Sequence, residues 1–238
     1  MSKCILSKMP TMRLNASRTS QALDMLQDRY GRQRHIPRFE PLDELVCCML
    51  SQHSADINSF PAFTSLKERW PTYPALAVAS LADVTATIKN AGLANQKAKG
   101  ILASLSHIRE AFGDYTLEPL RQMTVPEALG FLKSLPGVGP KTAAIVMCLA
   151  FGRHAVPVDT HVHRVSMRLG LVPDGVSADK AHNLLDAQVP EGKAFAFHVA
   201  LLDHGRSLCH AQSPKCSECP VCTMCRFKPK AKVKRAGS

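Results

Sequence analysis

The apolar pattern of the chain predicts an all-α protein. Apolar side chains recur at helical spacing nearly throughout, whereas period-two alternation is scarce. The periodic runs also stop where glycine or proline would end a helix. Ala22, Met25, Leu26 and Tyr30 mark the first helix, and Leu45, Val46, Met49 and Leu50 mark another. A helix from about Leu81 to Ala91 is expected to end at Gly92. Ala98, Ile101, Leu102, Leu105, Ile108 and Phe112 form a long stripe that stops before Gly113. Ala128, Phe131, Leu132 and Leu135 share one face ahead of Pro136. Later helices are expected over residues 178–188 and 193–204. Ala155–Val158 has extended character, yet one strand alone makes no sheet. No internal repeat or low-complexity tract interrupts this order.

Composition bounds the function. With 238 residues, 45% of them apolar, the chain can build a hydrophobic core in one large domain or two small ones. Lys plus Arg outnumber Asp plus Glu by 30 to 19, a net charge of +11 that favours a polyanionic partner such as nucleic acid. An anionic membrane is the rival partner. The longest apolar run, Ala143 to Phe151, falls well short of the roughly 20 residues that span a bilayer. The N-terminus lacks a signal-peptide core, so a cytoplasmic protein starting near Met1 is expected. Residues 226–238 read as a basic, frayed tail: Arg226, Lys228, Lys230, Lys232, Lys234 and Arg235 are joined by no acid.

The string Ser134-Leu135-Pro136-Gly137-Val138-Gly139-Pro140-Lys141-Thr142-Ala143 combines a helix end, a glycine turn and a new helix. Gly137 and Gly139 are expected to let the backbone turn sharply and approach another molecule. Pro140 suits the first turn of the next helix, whose residues Ala143 to Leu149 are apolar almost all round and therefore buried. N–H groups at such a helix start bind phosphate regardless of base. Lys141 lies in that first turn. Its charge opposes the helix dipole, and partial burial is expected to favour the neutral, nucleophilic amine. By residue type alone it reads as a lysine that merely touches phosphate. Asp159, in Val158-Asp159-Thr160-His161-Val162-His163-Arg164-Val165, is placed to cap the helix that follows. His161 and His163 point different ways on a helix, which argues against a metal site there.

Nine cysteines in a reducing compartment point away from structural disulfides. Cys4, Cys47, Cys48 and Cys148 are scattered and read as small buried apolar residues. Cys209, Cys216, Cys219 and Cys225 are separated by six, two and five residues, with Cys222 as an extra. Four thiolates in one loop suit either an iron–sulfur cluster or tetrahedral zinc.

The ten-residue hairpin string resembles the helix-hairpin-helix of the base-excision DNA glycosylase superfamily, and within it the chain is most similar to endonuclease III. The resemblance runs from about Leu45 to Cys225. It implies a two-lobed helical glycosylase fold, with residues 1–40 and 157–225 forming a cluster domain and 41–156 a helical barrel domain. It implies that Lys141 is the nucleophile and Asp159 the catalytic carboxylate. It also implies that Cys209, Cys216, Cys219 and Cys225 hold a [4Fe–4S] cluster, with Cys222 spare and Lys215 presenting charge to DNA. His161 also matches the family string and is placed to orient its loop. The hairpin residues Gly137, Val138 and Gly139 become phosphate contacts. Leu50-Ser51-Gln52-His53-Ser54-Ala55-Asp56 resembles the segment that meets the lesion, where the family usually has glutamine in place of His53. Leu93, in Ala91-Gly92-Leu93-Ala94-Asn95, matches a residue that wedges into the duplex.

The activity so implied is that of a monomeric, bifunctional glycosylase and abasic-site lyase acting on oxidised pyrimidines in double-stranded DNA. A single-function mismatch or uracil glycosylase usually carries another residue in place of Lys141. A DNA-binding iron–sulfur protein without chemistry would not need both Lys141 and Asp159, and a zinc protein that binds partners through the cysteine loop is a further alternative.

Overall fold

The computed structural model describes residues 9–54 and 56–228. Two compact units emerge: a discontinuous one, Met1–Arg34 with Val158–Ser238, and an inserted one, His35–Pro157. No strand occurs among the described residues. Cys4, Ala55 and the tail beyond Lys228 lie outside the described residues. No described helix is long and apolar enough to cross a membrane.

The discontinuous unit begins with α1 (Met9–Tyr30), which buries Ala22 and Leu26 completely and ends at Gly31, with φ +85°. The inserted unit follows as α2 (Pro41–Ser51), α3 (Asp56–Arg69), α4 (Tyr73–Ala77), α5 (Leu81–Thr87), α6 (Ala94–Phe112), α7 (Val125–Ser134) and α8 (Pro140–Ile145). Its core is continuous, and α6 packs on α2, α4 and α5 through Ala98, Ile101, Leu105 and Ile108. Glu44, fully buried, is matched by Arg38 at 2.6 Å, so the buried one of the two carboxylates in α2 keeps a charged partner. The chain then returns to the discontinuous unit as α9 (Thr160–Arg168), α10 (Ala178–Asp186) and α11 (Ala194–Ser207), with α11 packed on α1 and α9.

Several element boundaries differ from the expected ones. The helix expected to run to Ala91 stops at Thr87, and a 3-10 turn covers Lys89–Ala91. Ile88 and Ala91 are both fully buried, and the tighter turn stacks residues three apart, which brings both onto the core. The buried helix after the hairpin widens into a π-helical segment, Val146–Ala150. The helix expected over 178–188 ends at Asp186, and α11 runs a turn past His204. Cys47, Cys48 and Cys148 are buried, as their apolar surroundings in the sequence imply.

Candidate functional site

The hairpin forms because α7 is stopped on both sides. Thr124 and Glu127 make a reciprocal capping box at its start, and Leu135, preceding Pro136, is extended at its end. Gly137 then takes φ +80°, which a side-chain-bearing residue adopts only with strain. Gly139 differs from expectation: its backbone is extended (φ −95°, ψ 179°), so the turn does not require glycine there. A Cβ at Gly139 would meet open space, so the residue leaves room for something outside the protein. Val138 keeps its side chain inside and donates its N–H to the Leu135 carbonyl at 3.1 Å. Lys141 is the second residue of α8 and is exposed. The partial burial expected of it is therefore absent: the apolar face of α8 begins at Thr142 and Ala143, and Lys141 points away from it.

Two loops flank the hairpin in the same unit. Past the end of α2, His53 is exposed with φ +51°, and ahead of α6, Leu93 is 56% exposed with φ +50°. These two are among only three non-glycine residues with left-handed backbone in the described chain. His53, Leu93 and Gly137 line one pocket, together with Met49, Gln52, Gln96, Lys97 and Gly100. Gln52 ties this loop to the hairpin, donating to the Gly137 carbonyl at 2.8 Å and to Thr142 Oγ1 at 3.2 Å. Ser104 of α6 holds the hairpin from the other side, through the Pro136 carbonyl. Lys97 is buried, and desolvation draws its amine below the ordinary lysine range.

In the discontinuous unit, Asp159 caps α9: its carboxylate accepts the Val162 N–H at 2.7 Å. His161 Nδ1 lies 3.0 Å from Arg164, whose guanidinium also donates to the carbonyls of Cys209 and Gly205. A Cβ at Gly205 would fall 2.7 Å from the His161 Cβ, so glycine is what lets α11 approach α9 here. His163 instead lies 2.8 Å from the Val176 carbonyl and packs locally.

The four predicted cysteines, Cys209, Cys216, Cys219 and Cys225, line a single pocket, whereas Cys222 is exposed and not among its lining residues. Among the described residues no three ligand-type side chains converge as the shell of one metal ion. Burial pushes the Cys219 thiol up to about 11 and raises that of Cys225. Arg168 faces this cavity, donating to Cys209 Sγ at 3.2 Å and to the His210 and Ala211 carbonyls, and it stacks on Phe227 with 4.0 Å to the ring centroid. His204 lies beneath, between Tyr30 Oη and Cys219 Sγ, and burial holds its imidazole down to about 4. Lys215 is exposed at the rim.

Gln52, Lys97, Arg164 and Arg168 were not singled out from the sequence. Lys97 had a legible signal: it falls on the stripe of Ile101, Ser104 and Ile108, where α6 is otherwise buried. The two arginines are four apart on one helix, which marks a shared face without saying what it holds.

The family described as "HhH-GPD superfamily base excision DNA repair protein" matches residues 46–191. Endonuclease III of Thermotoga maritima is 35% identical over 194 residues, covering 82% of this chain and 86% of that protein. Endonuclease III of Bacillus subtilis is 32% identical, covering 90% and 94%. A solved structure of a trapped endonuclease III–DNA covalent intermediate superposes with a TM-score of 0.74 at 29% identity, covering 89% of this chain and 95% of the other. A thermostable thymine-DNA glycosylase superposes equally well, at 0.74, but at 24% identity, which speaks for the fold alone.

Proposed function

The chain belongs to the HhH-GPD superfamily of base excision DNA repair proteins, in its endonuclease III family, and on that premise we propose that it removes damaged bases from double-stranded DNA and nicks the abasic site. One observation carries the reading: Lys141 stands exposed in the first turn of α8, directly after a hairpin whose Gly139 leaves open space for a phosphate.

A stacked base is out of reach, so the nucleotide is first rotated out of the duplex at a cost of about a few kcal/mol. Phosphate contacts at Gly137 and Gly139, at Lys215, and across the basic surface offset that cost, while Val138, its N–H given to Leu135, anchors the turn. The Lys141 amine attacks the anomeric carbon as the bond to the base breaks, and the departing base takes up a proton. Asp159, held rigid by its cap, stabilises the positive charge on the sugar as it develops. The C1′–O4′ bond then breaks, O4′ takes up a proton, and the nitrogen lone pair closes a protonated imine between Lys141 and the opened sugar. Removal of the 2′ proton then expels the 3′ phosphate, and hydrolysis frees the lysine. Oxidised pyrimidines and abasic sites are the substrates this reading takes, with one copy of the chain sufficient and the cytoplasm as its place of work. His53 and Leu93 fill the gap left by the extruded nucleotide.

Cys209, Cys216, Cys219 and Cys225 would hold the [4Fe–4S] cluster. The fit rests on the donor set: four thiols around one cavity and the fifth cysteine off it. When bound, such a cluster supplies a rigid cross-link to the loop that carries Lys215.

Borohydride is expected to trap a covalent complex with duplex containing an abasic site. Lys141→Gln abolishes trapping while DNA binding persists, and Asp159→Asn, which still caps α9, slows base release far more than it lowers Tm. Undiminished trapping by Lys141→Gln would place the nucleophile elsewhere.

A further inference from the structure

The His53 and Leu93 loops are joined through Lys97, in the first turn of the helix that the Leu93 loop enters. Lys97 Nζ donates to the Leu50 carbonyl at 2.6 Å and to the Ala91 carbonyl at 2.7 Å. Leu50 lies in the last turn of α2, three residues before His53. Ala91 ends the 3-10 turn, two residues before Leu93. Each carbonyl belongs to a helix end, where a cation is favoured. A separate local cap on each end would satisfy both carbonyls and leave the two loops independent. One shared ammonium couples them. Lys97 also lines the cavity between the two left-handed residues. Among the described residues its side chain has no acidic partner in any ion pair. A buried cation served only by carbonyls is a costly way to stabilise a fold, because apolar packing would do as well.

We propose that Lys97 is a positioning residue: its ammonium sets the spacing of the His53 and Leu93 loops, and that spacing is what holds a nucleotide out of the duplex. The inference rests on the glycosylase reading and adds to it a residue that touches neither base nor sugar. Charge-assisted bonds to two carbonyls are short and directional, so the distance between the loops follows from the length of one side chain. Two loops fixed at a set separation lose little freedom on entering DNA.

The test compares two substrates and one structural probe, using the full chain. Lys97→Met is expected to slow excision of a damaged base from duplex by about tenfold or more, because extrusion must precede it. Nicking of a preformed abasic site in single-stranded DNA, where no base needs extrusion, stays within about twofold of wild type. Hydrogen exchange rises in residues 50–54 and 91–94 and not in α7. Lys97→Gln, which keeps two N–H donors, recovers most of the lost rate, and it carries the same comparison if Lys97→Met is recovered only unfolded. Equal losses on both substrates, with exchange rising throughout residues 35–157, would reduce Lys97 to a structural residue and overturn the proposal. Unchanged excision would overturn it as well. A wild-type chain inactive on both substrates overturns the glycosylase reading itself, which is a separate result from a Lys97 variant that matches an active wild type.

Discussion

The hairpin and the cysteine loop are built by different forces. Around the hairpin, Leu132, Leu135, Val138, Ala143 and Met147 are all buried, so each turn of chain rests on the apolar core of the inserted unit. The cysteine loop has little of this. Between Leu208 and Phe227 its regular structure amounts to two 3-10 turns, Cys216–Glu218 and Cys222–Met224, and its buried apolar side chains are Leu208, Val221 and Met224. Arginines hold it instead: Arg164 and Arg168 donate to the carbonyls of residues 209 to 211, and Arg18 donates to those of Leu169 and Met224. Apolar burial shapes a segment without outside help. A loop held by polar tethers needs a further cross-link to stay in place, and four thiols around one cavity are suited to receive it.

This contrast is open to attack by mutation. The largest effect is expected at the cysteines. Cys216→Ser removes a ligand, bleaches the visible absorbance and costs the discontinuous unit more than about 3 kcal/mol in denaturant unfolding. Cys222→Ser leaves iron content and absorbance at the wild-type level; a loss of iron in that variant would show that the ligand set is drawn wrongly. Next comes Gly205→Ala, which drives a methyl group into His161 and lowers stability by about 1–3 kcal/mol, with Arg164 displaced from the Cys209 carbonyl. Wild-type Tm in that variant would mean that α9 and α11 have slack. The smallest change in stability is expected at Gly139→Ala, within about 0.5 kcal/mol because the backbone is extended and the space is open. DNA affinity should nonetheless fall by about tenfold at fixed salt, since the added methyl occupies the room left for a phosphate. Full affinity in Gly139→Ala would move the phosphate contact off the hairpin.

Much of the helical framework was legible in the linear pattern. The stripe from Ala98 to Phe112 became α6 with its stop at Gly113, because amphipathic periodicity and a glycine terminus are local properties. Asp159 was legible as a cap for the same reason. Local pattern was weaker where the core chose between helix types, as at Ile88 and Ala91, which reach the interior only through a tighter turn. Lys141 also escaped it: the neighbouring apolar run implied burial, but a residue at the first turn of a helix stands at the edge of what the helix buries. Gln52 was invisible as a tether because its partners, Gly137 and Thr142, lie 85 and 90 residues away in the chain.

The order of amino acids by itself determined an all-helical chain, a glycine-turned hairpin followed by a lysine, a carboxylate at a helix start and a cysteine spacing fit for a cluster. Those features depend on neighbours within a turn or two, which any reading of the chain contains. Tertiary structure alone decided that Lys97 grips two helix ends, that His53, Leu93 and Gly137 face one cavity, and that Cys222 stays off the wall its four neighbours share. Those arrangements arise only when distant segments pack, since hydrogen-bond reach is a few ångströms in space and indifferent to separation along the chain.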